Sequence, residues 1–149
     1  MSSGKSIVFS FVICSIIFIG IFIYFVSSIS STYPPIKEYG YTGTKTQFII
    51  SIREYADTDP KLTFKITDTT GNVNNDFAIY AIVEIGNIEY KLRCEDSQSG
   101  KKKTTIKVIS AYDVDNKVGG YTKDAQGVDA LLKRFELEIL TPLNSDLGH

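Results

Sequence analysis

Residues Phe77–Asp96, FAIYAIVEIGNIEYKLRCED, decide the fold. Gly86-Asn87 lies at their centre, with Gly in the first of two turn positions, as a type II′ hairpin requires. That turn sets the register. Ile85 faces Ile88, Val83 faces Tyr90, Ala81 faces Leu92 and Ile79 faces Cys94. All four pairs are apolar and share one face, because strand side chains alternate with a period of two. The other face pairs Glu84 with Glu89, Ile82 with Lys91 and Tyr80 with Arg93. Cys94 is therefore expected to be an inward, inert thiol.

Period-two patterns continue on both sides of this hairpin. Phe48, Ile50 and Ile52 alternate with Ile49, Ser51 and Arg53, which predicts a strand from Thr46. Leu62, Phe64 and Ile66 alternate with Thr63, Lys65 and Thr67, and Thr104–Tyr112 adds another strand with Ile106 and Val108 on one face. The period then becomes helical. Val128, Leu131, Leu132, Phe135 and Ile139 form one stripe, with Thr122 or Asp124 as the expected cap and Thr141-Pro142 as the expected stop. The predicted fold is α+β: a five-stranded antiparallel β-meander over residues 46–149 with one C-terminal helix packed on the sheet.

Upstream the chain changes character. Residues 6–36 carry no charge; Lys5 is the only charged residue before Lys37. Ile7–Val26 is apolar on every face, and as a helix it spans about 30 Å, the thickness of a bilayer's hydrocarbon core. The expected organisation is a tail at 1–5, a transmembrane signal-anchor helix at 6–32 and a juxtamembrane linker at 33–45. Pro34-Pro35, Gly40 and Gly43 make that linker read as an irregular stalk, with Tyr39 and Tyr41 packing at the domain edge. Lys5 adjoins the apolar run whereas Lys37 is remote from it, which favours a cytoplasmic N-terminus and an extracytoplasmic domain. The alternative is a secreted protein, with Ser28-Ile29-Ser30 as a small-x-small cleavage signal.

From Lys37 onward the charges are mixed and nearly balanced, so no basic excess exists to neutralise nucleic-acid phosphates. The two cysteines, Cys14 and Cys94, belong to different media and are not expected to bridge. The only histidine is the terminal residue, His149, and no nucleophile–histidine set, Walker loop or dinucleotide fingerprint is present. No catalytic or cofactor-binding residue is therefore assigned.

Asp113, Asp115 and Asp124 fall at positions 1, 3 and 12 of a calcium-type loop. Val118 replaces its required Gly and Lys117 occupies a ligand position, so the stretch reads as a polar connection. Asp68–Asp76 is a second oxygen-rich stretch with turn composition, and Lys101–Lys103 is either a lipid-attracting patch or a solvated turn. Three functions follow in order of preference. The first is a membrane-tethered, non-enzymatic module docking to another protein or membrane complex. The second is a small-molecule or lipid-binding domain with a pocket between sheet and helix. The third is an enzyme whose Asp113, Asp115 or Glu84/Glu89 carboxylates converge in one cleft.

Overall fold

The computed structural model describes residues 33–71, 77–97 and 103–145, together with Ile19. The chain divides into two units, 1–33 and 34–149, and the architecture below is that of the second. The expected membrane span at 6–32, Cys14 and the Ser28–Ser30 signal lie outside the described residues apart from Ile19. Among the described residues no helix is long and apolar enough to cross a membrane.

The second unit is α+β. Its strands are β1 (Lys37–Thr42), β2 (Leu62–Gly71), β3 (Phe77–Ile85), β4 (Ile88–Asp96), β5 (Lys103–Asp113) and β6 (Val118–Gly120). They form one antiparallel sheet of order β1-β5-β4-β3-β2, with β6 also paired to β5. The helices are α1 (Lys45–Thr58) and a C-terminal segment built from α2 (Val128–Phe135), a π-turn (Glu136–Leu140) and α3 (Thr141–Ser145).

The β3–β4 register is the one the turn dictates, pair for pair from Ile85↔Ile88 to Ile79↔Cys94. Gly86 has φ +59 while Asn87 keeps a negative φ, as the first and second positions of a II′ turn demand. The inner face buries Val83, Tyr90, Leu92, Cys94, Ile106 and Val108 almost completely. The stripe on the C-terminal helix is buried against it, with the Phe135 ring 5.0 Å from Tyr90 and 5.6 Å from Tyr39. The outer face is a lattice of opposite charges. Lys107 joins Glu95 at 2.7 Å and Glu38 at 3.8 Å, and Arg93 also pairs with Glu95.

Residues 46–53, expected to form the first strand, lie in α1 and are helical instead. The apolar residues there fit both periods, but Phe48, Ile49 and Ile52 fall at i, i+1 and i+4, and all three are buried. Ile50, which a strand would place beside Phe48 and Ile52, is 49% exposed. A capping box starts the helix: the Gln47 N–H donates to Thr44 Oγ1, and the Thr44 N–H donates to Gln47 Oε1 at 2.8 Å.

The expected linker is likewise part of the sheet. β1 pairs with β5 from Lys37↔Val108 to Thr42↔Lys103, and Tyr41 is fully buried with its ring edge-on to Phe48 at 5.1 Å. The five-strand meander is thus a four-strand meander, β2 to β5, flanked by β1. Between β1 and β2, α1 crosses the inner face. Its 14 residues make a helix about 21 Å long, and the four strand spacings it must cross amount to about 19 Å.

At the C-terminus, neither Thr122 nor Asp124 caps α2. Gly127 (φ +80) precedes it with no side-chain cap bond. Pro142 does not end the helix either. Having no N–H for the Glu138 carbonyl, it follows a turn widened to π spacing, where the Thr141 N–H reaches Glu136 O.

Two glycines carry distinct constraints. A Cβ on Gly86 would meet no atom within 4 Å, so Gly86→Ala exposes only the backbone preference, a loss of about 1–2 kcal/mol. At Gly119 (φ +102) a Cβ would stand 2.1 Å from the Ala111 carbonyl oxygen, so β6 must leave β5. Urea unfolding is expected to rank Gly119→Ala as the more destabilising of the two.

Candidate functional site

The carboxylates singled out from sequence do not share a cleft. Asp113 lies opposite Ile88 on the inner-face row, whereas Glu84 and Glu89 face each other on the alternate, outer row. Glu84 accepts from the Thr63 hydroxyl at 2.8 Å, and Glu89 has Lys91 at 3.6 Å. Among the described residues no group of three or more His, Cys, Asp or Glu side chains gathers.

Asp113 is occupied by its own loop. Oδ1 accepts from Asn87 Nδ2 at 2.8 Å and from the Asn116 and Asp115 N–H groups at 2.9 and 3.1 Å; Oδ2 accepts from Asn116 Nδ2 at 2.8 Å. This is an aspartate-centred turn that ties the β5–β6 loop to the β3–β4 turn. The bonds from Asn116 lead in holding the Asp113 carboxyl below its usual range. Asp115 and Asp124 are exposed. Of the other candidates, residues 72–76, Lys101, Lys102 and His149 lie outside the described residues.

Cys94 is fully buried, and burial pushes its thiol up to about 12. Lys45, the first residue of α1, is also buried. It donates to the Phe77 carbonyl, lies 4.0 Å above the Phe77 ring and pairs with Asp96 at 2.9 Å. These contacts join α1 to the β3–β4 hairpin and leave the ammonium committed.

Large side chains occupy the space between sheet and helices. Tyr41, Phe48, Val83, Tyr90, Phe135 and Ile139 are each fully buried there. The Tyr90 hydroxyl, pushed up mainly by burial, donates to Leu131 O at 2.9 Å. Tyr39, on β1, donates to Leu132 O at 3.4 Å.

An open groove of about 270 Å³ instead lies at the margin of this interior, lined by Tyr55, Asp59, Leu62, Ile85, Leu137, Glu138 and Pro142. Three separate stretches build it. The end of α1 brings Tyr55 and Asp59, the β2–β3 pair Leu62↔Ile85 forms the floor, and the π-turn brings Leu137 and Glu138. Leu137 is 61% exposed. Burial first, then the nearby Asp59 and Glu138 charges, push the Tyr55 phenol up. Glu138 is paired with Arg134 at 2.6 Å, while the last turn of α1 carries no basic residue. The groove therefore offers apolar surface beside two carboxylates, Asp59 and the Arg134-paired Glu138. Such turns recur at functional positions. Sequence reasoning missed it because no single segment contains it; only the exposed leucine beside two glutamates in Glu136–Glu138 hinted at it.

No known protein family, curated protein or solved structure matches this chain.

Two measurements follow from the buried groups. With Cys14 replaced by Ser, Cys94 is expected to resist a water-soluble disulfide reagent and to react at the rate of unfolding. For Asp113 the folded pKa is depressed, so its stabilisation is complete above the unfolded value of about 3.9 and disappears as pH falls through the folded value. Asp113→Asn is expected to flatten the acid limb of stability against pH in that window.

Proposed function

We propose that the protein is a single-pass membrane-anchored, non-enzymatic binding module that docks onto another protein or membrane complex. In this reading residues 6–32 are the anchor, the N-terminus is cytoplasmic and the α+β domain lies outside. The uncharged run from Ser6 to Ile36 supports the anchor. Protease protection of the domain in sealed vesicles tests its side.

The observation that carries the docking role is the groove beside the π-turn. At about 270 Å³ it falls below the roughly 300–1,000 Å³ of ordinary ligand pockets and is open to solvent, dimensions that suit one side chain of a partner. Leu137 lines it and stands exposed on the π-turn, directly after the helix whose Leu131 carbonyl accepts from the buried Tyr90 hydroxyl.

Pull-down of the full chain from detergent extracts is expected to recover a partner in fixed ratio. Leu137→Asp should lose it, and Ile50→Asp, on the exposed side of α1, should keep it. Recovery of the wild-type chain always alone would overturn the docking role.

A further inference from the structure

The groove beside the π-turn combines an apolar lining with one carboxylate that the chain itself leaves unanswered. Its floor is the cross-strand pair Leu62↔Ile85, and Leu137 and Pro142 line it from the C-terminal segment. Asp59, the half-buried C-cap residue of α1, lines it as well. Asp59 Oδ1 accepts the Lys61 N–H at 2.9 Å, and among the described residues the Asp59 carboxylate forms no ion pair. Glu138 differs, because Arg134 Nε donates to its Oε1 at 2.6 Å. The last turn of α1 carries no basic residue, so the negative end of the helix dipole adds to Asp59 there. The two charges that act on the Tyr55 phenol, Asp59 first and then Glu138, are both negative.

We infer that the partner protein inserts one arginine side chain into this groove, its aliphatic stem against Leu137 over the Leu62–Ile85 floor and its guanidinium at Asp59 and Tyr55. The inference rests on the docking reading above and names the chemistry of what docks.

Charge complementarity selects this occupant. An arginine is an apolar stem with a cationic end, and the groove is an apolar lining with a carboxylate beside it. A wholly apolar side chain would strip water from Asp59 and return no hydrogen bond for it. An acidic one would meet Asp59, Glu138 and the negative end of the α1 dipole. The groove is open to solvent, so the guanidinium keeps part of its hydration and escapes the desolvation cost of a buried pair. Arginine suits the site better than lysine. Its guanidinium is more weakly hydrated, meets a carboxylate through two N–H groups and stacks on an aromatic ring such as Tyr55.

The test uses two defined probes, acetyl-Ala-Arg-Ala-amide and its citrulline counterpart, which has the same shape without the charge. The full chain in phosphocholine micelles, isotopically labelled at its Ile and Leu methyl groups, is titrated with each and followed by NMR. The arginine peptide is expected to shift the Ile85 and Leu137 methyls, and the citrulline peptide to bind about threefold to fivefold more weakly, the strength of one part-exposed ion pair. Added salt should narrow that gap. Asp59→Asn keeps an acceptor for the Lys61 N–H and should bring the arginine peptide down to the citrulline level. Asp57→Asn, the same charge change at an exposed residue outside the groove, should not. Equal binding of the two peptides, or an Asp59→Asn chain that holds the arginine peptide as tightly as the wild type, overturns the inference and leaves the docking role standing. Methyls that neither peptide shifts overturn it too. A wild-type chain recovered always alone from detergent extracts removes the docking role, and the inference with it.

Discussion

One constraint governs the domain: the inner face of a five-strand-wide sheet is mostly apolar and needs cover across most of its width. Its outermost strands are about 19 Å apart, whereas one helix with its side chains covers about 10–12 Å. A single C-terminal helix therefore leaves part of the face wet. The crossing from β1 at one edge to β2 at the other supplies the missing cover, because the segment that makes it is α1, with Phe48 and Ile52 fully buried. The helical state of residues 45–58 is thus a consequence of sheet width as much as of local preference.

The second constraint is the seating of the C-terminal helix. Two tyrosine hydroxyls from adjacent regions of the inner face, Tyr90 and Tyr39, donate to the successive carbonyls of Leu131 and Leu132. The buried Tyr90 bond contributes about 1 kcal/mol net, and orphaning its hydroxyl would cost more, so it penalises a slip of the helix along the sheet, whereas the longer, part-buried Tyr39 contact adds less. The surface pair Lys37–Glu136 beside them is half exposed and contributes little by comparison. Farther along, the π-turn forms ahead of Pro142, and there Ile139, Leu140 and Leu143 are buried while Leu137 is left exposed.

The parts legible in the sequence were those with two agreeing signals. The hairpin had turn chemistry and pairing pattern, and both were right to the residue. The C-terminal stripe had five positions on one face. The segment at 46–53 had one ambiguous signal, because adjacent apolar residues at 48, 49, 50 and 52 satisfy either period. Its capping box, Thr44-x-x-Gln47, was present in the sequence and outweighs the alternation once the sheet needs a second cover. β1 was obscured by Gly40 and Gly43, which mark loops when read locally but here flank Tyr41, whose ring packs on α1. The groove was illegible because residues 55–62, 85 and 137–142 meet only through the tertiary fold.

These elements give the two ends of the sheet unequal character. The β3–β4 turn and the aspartate-centred loop at Asp113 fall at one end, where hydrogen bonds through Asn87 tie them together, while β1 starts opposite Val108, midway along β5. The edges are protected differently. β2 is an open edge, but a bulge between Ile66 and Asp68 breaks its ladder and exposed Lys65 and Asp68 flank the break, a combination that discourages strand addition. Large apolar side chains of the domain stay exposed at Ile50, Ile66, Phe77, Tyr112, Val114, Tyr121 and Leu137, and of these it is Leu137, on the π-turn, that lines the groove.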